Sequence, residues 1–408
     1  MSETVSILFA VPVDQVDSLR ASETLRSIQS QTFPESLLEV HKVQYVPNAP
    51  EAHTSALNAA REIARASSSA SDDGYMIYAE PGLLWEPGKI ERQVLALQDH
   101  PGSGGCVHPM SVRPESGRPW TFGLEDTMRY GARIASFLRP PWGHGTALLR
   151  STAAARVGVF RNVDQVLWEY AIRTALRTPA LHPLPDDLAT WNPGRDAEGE
   201  IRNGRRPIRP LVAAEPNRVH YPFLKAHLDR LTTEDLFQGH RLALPDIGLV
   251  LHAALHLNAG DFAGGFERLR SQESNGLEGG YLVGLLERGR GNFQESEAAV
   301  RRCPASGLNT LEAAMKEDVV RFLQSAIQLP DYGQGRETAG KLLNRLQVRG
   351  GWDTLFFTEL CQEDILEERT ESLRLLAELQ QIEYDAFFEW TFRLATGSGS
   401  DPDPPNTI

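Results

Sequence analysis

Apolar residues in the first half of the chain fall into short continuous runs separated by stretches of helical period. Val5–Val13 is almost unbroken in apolar character, which predicts a strand buried on both faces. Leu19, Leu25 and Ile28 then recur at helical spacing. Val40–Val46 predicts a second strand, closed by Pro47, Asn48, Ala49 and Pro50. Alanine-rich Ala52–Ala66 reads as a helix, Ser67–Asp73 as a small polar loop, and Tyr75–Tyr78 as a third buried strand. That strand stops at Glu80-Pro81-Gly82, and Pro87 precedes a helix with Ile90, Val94 and Leu97 on one face. Alternation of this kind predicts an α/β unit with a mostly parallel sheet flanked by crossover helices.

From Pro101 the pattern loosens. Gly102–Met110 predicts another strand, and Trp120–Arg139 contains a helix with Leu124, Met128 and Ile134 among its apolar positions. A loop from Pro141 to Thr146 runs into a strand ending at Arg150. Pro193–Pro216 is rich in Arg, Gly and Pro, has no period, and reads as a loop or lid carrying Arg195, Arg202, Arg205, Arg206 and Arg209.

Beyond Leu224 the period is helical throughout. Leu251, Gly260, Asp261 and Phe262 recur at a constant offset as Leu282, Gly291, Asn292 and Phe293. The two copies resemble tetratricopeptide-type helix pairs, with Ala253 and Gly284 at a small-residue position and Gly260 and Gly291 at the turn. Such stacked pairs imply a groove for a protein partner; packing that makes a homo-oligomer is the other reading. The expected domains are 1–215 (α/β), 216–396 (all-α, repeat-like) and a disordered tail, 397–408.

Composition narrows the function classes. With 41% apolar and 23% charged residues the chain is globular, and 408 residues suit two or three domains. A formal net charge of -13 gives no basic footprint for nucleic acid. The three cysteines, Cys106, Cys303 and Cys361, are too scattered for a zinc site and fit reduced thiols. No apolar run is long enough for a membrane span, and no charged segment followed by an apolar one suggests a signal peptide. The expected setting is cytoplasmic.

Candidate chemistry gathers after the third strand. Ligands of open α/β sheets bind beyond the carboxyl ends of the strands, so Glu80 is placed to hold a metal or a sugar. Trp85, Pro87, Lys89, Ile90, Arg92 and Gln93 follow it, and the stretch resembles the Asp-x-Asp region of family 2 glycosyltransferases with the GT-A fold. Leu25, Ser27, Ile28, Gln31 and Thr32 are similar to that family's first helix, and Arg150, Gly158 and Phe160 to a later motif. The stretch around Arg173 resembles a helix, and Leu181–Asn192 the closing strand and loop, of the same family. The resemblance implies a nucleotide-sugar donor, with Mn²⁺ or Mg²⁺ held by two carboxylates. Here Glu80 falls on the first and Gly82 on the second, and glycine offers no oxygen to a hard cation. The family's nucleotide-recognition positions fall on Val46, Pro47 and Asn48. Asp14, Asn48 and Arg61 are the candidate nucleotide contacts, with Glu80 at the metal or sugar. The family's general base would lie near Val166 and Leu167, so Asp164 and Glu169 are the nearest candidates, with His144 between glycines a further one.

The expectation is a GT-A-like glycosyltransferase, with or without a metal, acting on a glycan, peptide or protein. Without a metal, an arginine of the Pro193–Pro216 loop would face the diphosphate. Two other readings stay open: a transferase-derived scaffold without catalysis, binding a glycan or partner protein through its helical half, and a nucleotide-sugar sensor.

Overall fold

The computed structural model describes residues 4–16, 18–47, 51–67, 74–113, 119–143, 145–163, 165–192, 221–270, 276–328, 335–349, 354–355, 357–360 and 370–397. Two compact units result, one from residues 4–192 and one from 221–397. The arginine-rich loop from Pro193, Cys361 and the tail after Gly397 lie outside the described residues.

The first unit is built on β1 (Val5–Pro12), whose side chains are buried on both faces from Val5 to Val11. It pairs in parallel with β2 (Leu38–Tyr45) and with β3 (Tyr75–Ala79). The short β4 (Leu83–Trp85) follows β3, and β5 (Gly105–Val107), β6 (Met110–Val112) and β7 (Trp120–Phe122) come next. β8 (Leu148–Arg150) runs antiparallel between β3 and β5, and β9 (Leu181–Pro183) pairs in parallel with β5. The resulting order is β2-β1-β3-β8-β5-β9. A second sheet, β4-β10-β6-β7, includes β10 (Ala189–Trp191). The expected strand over Gly102–Met110 is therefore two strands in different sheets, and the closing segment contributes two strands rather than one. The loop predicted after Glu80 also contains β4.

Helices cover both faces of the larger sheet. α1 (Leu19–Gln29) and α3 (Lys89–Asp99) bury Ala21, Ile28, Ile90, Val94 and Leu97 against Ile7, Phe9 and Ile77. On the opposite face α2 (Ala52–Ser67), α4 (Glu125–Leu138), α5 (Ser151–Val157) and α6 (Val166–Arg177) pack on Leu8, Ala10, Met76 and Leu149. Alternate side chains of one strand thus serve two cores, which is why the sequence reads as an unbroken apolar run.

The residues that carry the family resemblance have structural work here. The Gln31 amide donates to Glu86 O at 2.8 Å and accepts from Ile90 N at 3.0 Å, tying α1 to the start of α3. Gln93 Nε2 donates to Thr146 O at 2.9 Å. Lys89 is fully buried, donates to Gln93 Oε1 at 2.7 Å and lies 4.3 Å over the Trp85 ring. Burial pushes its amine down to about 7, and pushes the neighbouring Cys106 thiol up to about 12.

The second unit is all-helical. α7 (Pro222–Leu228) and α8 (Thr233–Leu236) lead into two helix pairs: α9 (Pro245–Ala259) with α10 (Phe262–Leu269), and α11 (Leu277–Gly289) with α12 (Phe293–Arg301). Gly260 and Gly291 end α9 and the turn after α11 at φ of 76° and 82°, which explains the repeated glycine. Gly284 leaves room for Val300 and accepts from Ser296 Oγ at 2.8 Å, so small residues sit at both repeated positions for close helix contact. Then come α13 (Ala305–Gln328), α14 (Gly335–Arg349) and α15 (Thr370–Thr396). Inside this unit Glu383 of α15 pairs with Arg288 and accepts from Tyr281 Oη at 2.7 Å. Tyr281 Oη also bonds Thr354 Oγ1 at 2.7 Å, and Arg288 reaches Thr358 at 3.4 Å.

Lys89 supplies a test of the buried core of the first unit. The native amine loses its proton near pH 7, whereas the unfolded chain keeps it to about 10.4. Between those values the unfolded state binds more protons, so stability rises with pH, by at most about 1.4 kcal/mol per pH unit. The thermal unfolding midpoint followed from pH 7 to 8 should rise more steeply with pH in the native chain than in Lys89→Met; at higher pH the buried Cys106 thiol, which keeps its proton in the fold and loses it in the unfolded chain, works against the rise.

Candidate active site

The carboxyl ends of β1, β2 and β3 meet the amino-terminal turn of α2, and Glu80 stands at this edge. Tyr78 Oη donates to Glu80 Oε2 at 3.1 Å. His53, in the first turn of α2, has Nε2 3.4 Å from Tyr78 Oη, and its ring stacks on Tyr45 at 5.1 Å. Glu80 follows β3 directly, two residues after Tyr78, and this bond places the phenol where it orients the acid. Burial, then the Glu80 charge, holds the Tyr78 phenol well above its ordinary value, so it stays a proton donor. The other carboxylate oxygen, Glu80 Oε1, is buried and has no hydrogen-bond partner among the described residues. A buried, unpartnered carboxylate oxygen is costly unless something else supplies a donor.

Gly82 forms the far side of the same turn. Leu83 N donates to Glu80 O at 3.2 Å, Gly82 N donates to Thr24 Oγ1 at 3.0 Å, and Asn192 N donates to Gly82 O at 2.8 Å. Its φ is 92°, and a Cβ there would lie 2.4 Å from Asn192 O and 2.6 Å from Arg20 Nη2. Arg20 closes the turn by donating to Pro81 O at 3.2 Å and Asn192 O at 2.8 Å. The position of the second family carboxylate is thus filled by backbone and a guanidinium, and only glycine adopts this conformation without strain. The described residues here do not fit a divalent cation: Glu80 offers one oxygen without a partner, and among them the turn adds no second side-chain ligand. Among the described residues, the cluster with metal-like spacing is Asp229, His256 and Asp261 of the second unit. Lys225 Nζ already sits there, 2.8 Å from Asp261 and 3.0 Å from Asp229.

The other residues singled out by the sequence do not all gather at Glu80. Asp14 is exposed in a single 3-10 turn, Val13–Gln15, just past β1. Arg61 is buried on α2, about 12 Å along the helix from His53, and donates to Ala154 O of α5 at 3.4 Å. Asn58 is not on a solvated face, as its alanine-rich helix suggests; it brackets Phe160, donating to its O at 2.9 Å and accepting from its N at 2.8 Å. Glu169 is only 1% exposed and is held by Arg173 Nε at 2.8 Å, Arg173 Nη2 at 2.7 Å and Arg161 Nη1 at 3.3 Å. A carboxylate so enclosed anchors α6 instead of facing an acceptor. Asn48, His144 and Asp164 lie outside the described residues. Sequence reasoning missed His53 and Tyr78, which read as a helix-start residue and a core aromatic; the i, i+2 spacing of Tyr78 and Glu80 on one strand was the available signal.

No protein-family model and no curated protein matches the chain. Among solved structures it is similar to TarS from S. aureus, at TM-score 0.38 and 13% identity over 73% of this chain and 50% of that one, so it spans half of that protein's length. It is also similar to TarS 1-349 in complex with UDP-GlcNAc, at TM-score 0.40 and 12% identity over 73% and 84% of the two chains. A third likeness is to the mannosyltransferase PcManGT from Pyrobaculum calidifontis in complex with GDP-Man and Mn²⁺, at TM-score 0.31 and 13% identity over 83% and 85%. Likenesses this distant leave function to this chain's own residues.

The closed turn makes a direct prediction. Gly82→Asp, which restores the family's second carboxylate in sequence, should lower the thermal midpoint by several degrees and confer no Mn²⁺ binding by calorimetry. A variant that is as stable as the native chain and binds Mn²⁺ would show that the turn has room after all.

Proposed function

We propose that the first unit is a glycosyltransferase domain that binds a nucleotide sugar at the carboxyl ends of β1–β3 and transfers the sugar to an acceptor hydroxyl without a divalent metal. The observation that carries this reading is Glu80: a carboxylate at the strand ends, oriented by Tyr78, with its Oε1 buried and lacking a hydrogen-bond donor. A sugar hydroxyl supplies such a donor. The motif residues around it, Gln31, Lys89 and Gln93, support the reading by fixing α1 and α3 behind this turn.

In the transfer, the acceptor oxygen bonds to the anomeric carbon as the bond from that carbon to the diphosphate breaks. The electron pair leaves with the diphosphate, and the acceptor proton goes to a base. Glu169 is engaged by two arginines, so Asp164, next to the start of α6, is the base we assign, with His144 as the other proton-handling candidate. Asp14 and Asn48 are assigned to the nucleotide, and Arg61 to the support of α2. Charge on the leaving diphosphate then falls to arginines; those of the Pro193–Pro216 loop are the candidates that its sequence offers.

Calorimetric titration with UDP- and GDP-sugars, with and without Mn²⁺, tests the reading. Binding of one donor with an unchanged affinity when Mn²⁺ is chelated is expected, and Glu80→Gln should weaken that affinity roughly 10-fold, the loss of about one charge-assisted hydrogen bond. Silence across the donor panel would favour the alternative, a scaffold derived from a transferase. That alternative draws on the filled position at Gly82 and the engaged Glu169.

A further inference from the structure

A partly open cavity of about 60 Å³ lies on the Met76 face of the larger sheet, beneath α6. Its walls include Trp142, Phe160, Trp168 and Tyr170, together with Leu149 and Ala171. The polar groups of this lining are largely spoken for. Thr174 Oγ1 donates to Tyr170 O at 2.8 Å, and Trp168 Nε1 donates to Ser136 O at 2.7 Å. The Tyr170 hydroxyl is buried with no partner among the described residues, and its ring stacks on Phe160 at 4.2 Å. Among the described residues of the lining it is the buried side-chain polar group left without a partner, and the rest of the wall is apolar or already engaged. The space suits carbon.

Tyr78 belongs to the same lining, and its hydroxyl is the one bonded to Glu80. Tyr78, part of this apolar, aromatic wall, is thus bonded to the Glu80 carboxyl group, whose other oxygen, Oε1, is the one without a donor among the described residues. A cavity of roughly 150 Å³ is what holds a whole benzene. This one is smaller and partly open, so it admits the edge of a ring or a branched aliphatic end, with the remainder of the molecule outside.

We infer that the cavity is the binding subsite for an amphipathic alcohol, whose apolar end enters between the sheet and α6 and whose hydroxyl is left at Glu80. This rests on the transferase reading, in which that alcohol is the acceptor, but its binding can be measured without any donor.

The test uses the full chain with ¹³C-methyl-labelled methionine, because Met76 lines the cavity and reports on it directly. Met76→Leu assigns its signal. Benzyl alcohol and toluene are the probes. Saturable movement of the Met76 methyl signal is expected with both, with benzyl alcohol bound at least 3-fold more tightly than toluene. Glu80→Gln should bring the two affinities together, and Ala171→Leu, which fills the cavity, should abolish both responses. An unmoved Met76 signal up to the solubility of benzyl alcohol, or equal affinities in the native chain, would overturn the inference, whether or not Ala171→Leu folds. Donor binding with a silent Met76 would remove the subsite alone. A Met76 response without donor binding would remove the transferase reading and leave an alcohol site.

Discussion

The backbone turn at Gly82 is the constraint on which the candidate site depends. Three neighbours converge on it: Thr24 from α1, Arg20 from the same helix, and Asn192 from the end of β10. Because they fill the space a side chain would need, the turn can only be glycine, and Glu80 is left as the single acid of the pair. What remains is a carboxylate set by a phenol, with its other oxygen buried and without a donor among the described residues. At the strand ends the described residues supply hydrogen bonding and charge, and among them the metal-clamping arrangement that the family resemblance implies has no second carboxylate.

Buried ions show how the unit secures that arrangement. Glu169 and Arg173, both within α6, neutralise each other, and Arg173 also donates to Val157 O, which joins α6 to the end of α5. Removing either partner would leave a charge in a dry place, which typically costs about 3–5 kcal/mol. Lys89 is a different case, because among the described residues no carboxylate pairs with it and its amine is held instead by an amide oxygen and an indole face. It is tolerated because it can become neutral, a state that the low local polarity favours.

Much of the fold could be read from the sequence because burial leaves a period. β1, β3 and the α3 face of Ile90, Val94 and Leu97 are apolar at the intervals that two covered sheet faces demand. The three-residue strands β4 to β10 were harder: a strand of that length carries no period, and its partners come from distant parts of the chain. Glu80 was legible as a carboxylate after a buried strand. Its orientation was not, since Tyr78 and His53 take their roles from a contact between β3 and α2. Glu169 misled for the same reason in reverse. An acid near the expected base position says nothing of the guanidinium four residues later that claims it, although Glu-x-x-x-Arg on a helix is a pairing distance.

The Tyr281–Glu383–Arg288 network in the second unit links parts of the chain about a hundred residues apart: α11, the 354–358 segment and α15. In a solenoid each repeat touches only its neighbours and stability accumulates unit by unit. Here α15 reaches back to α11, where its Glu383 pairs with Arg288 about a hundred residues earlier in the chain. The helical unit is therefore cross-braced, so that loss of α15 would leave Arg288, buried on α11, without its carboxylate.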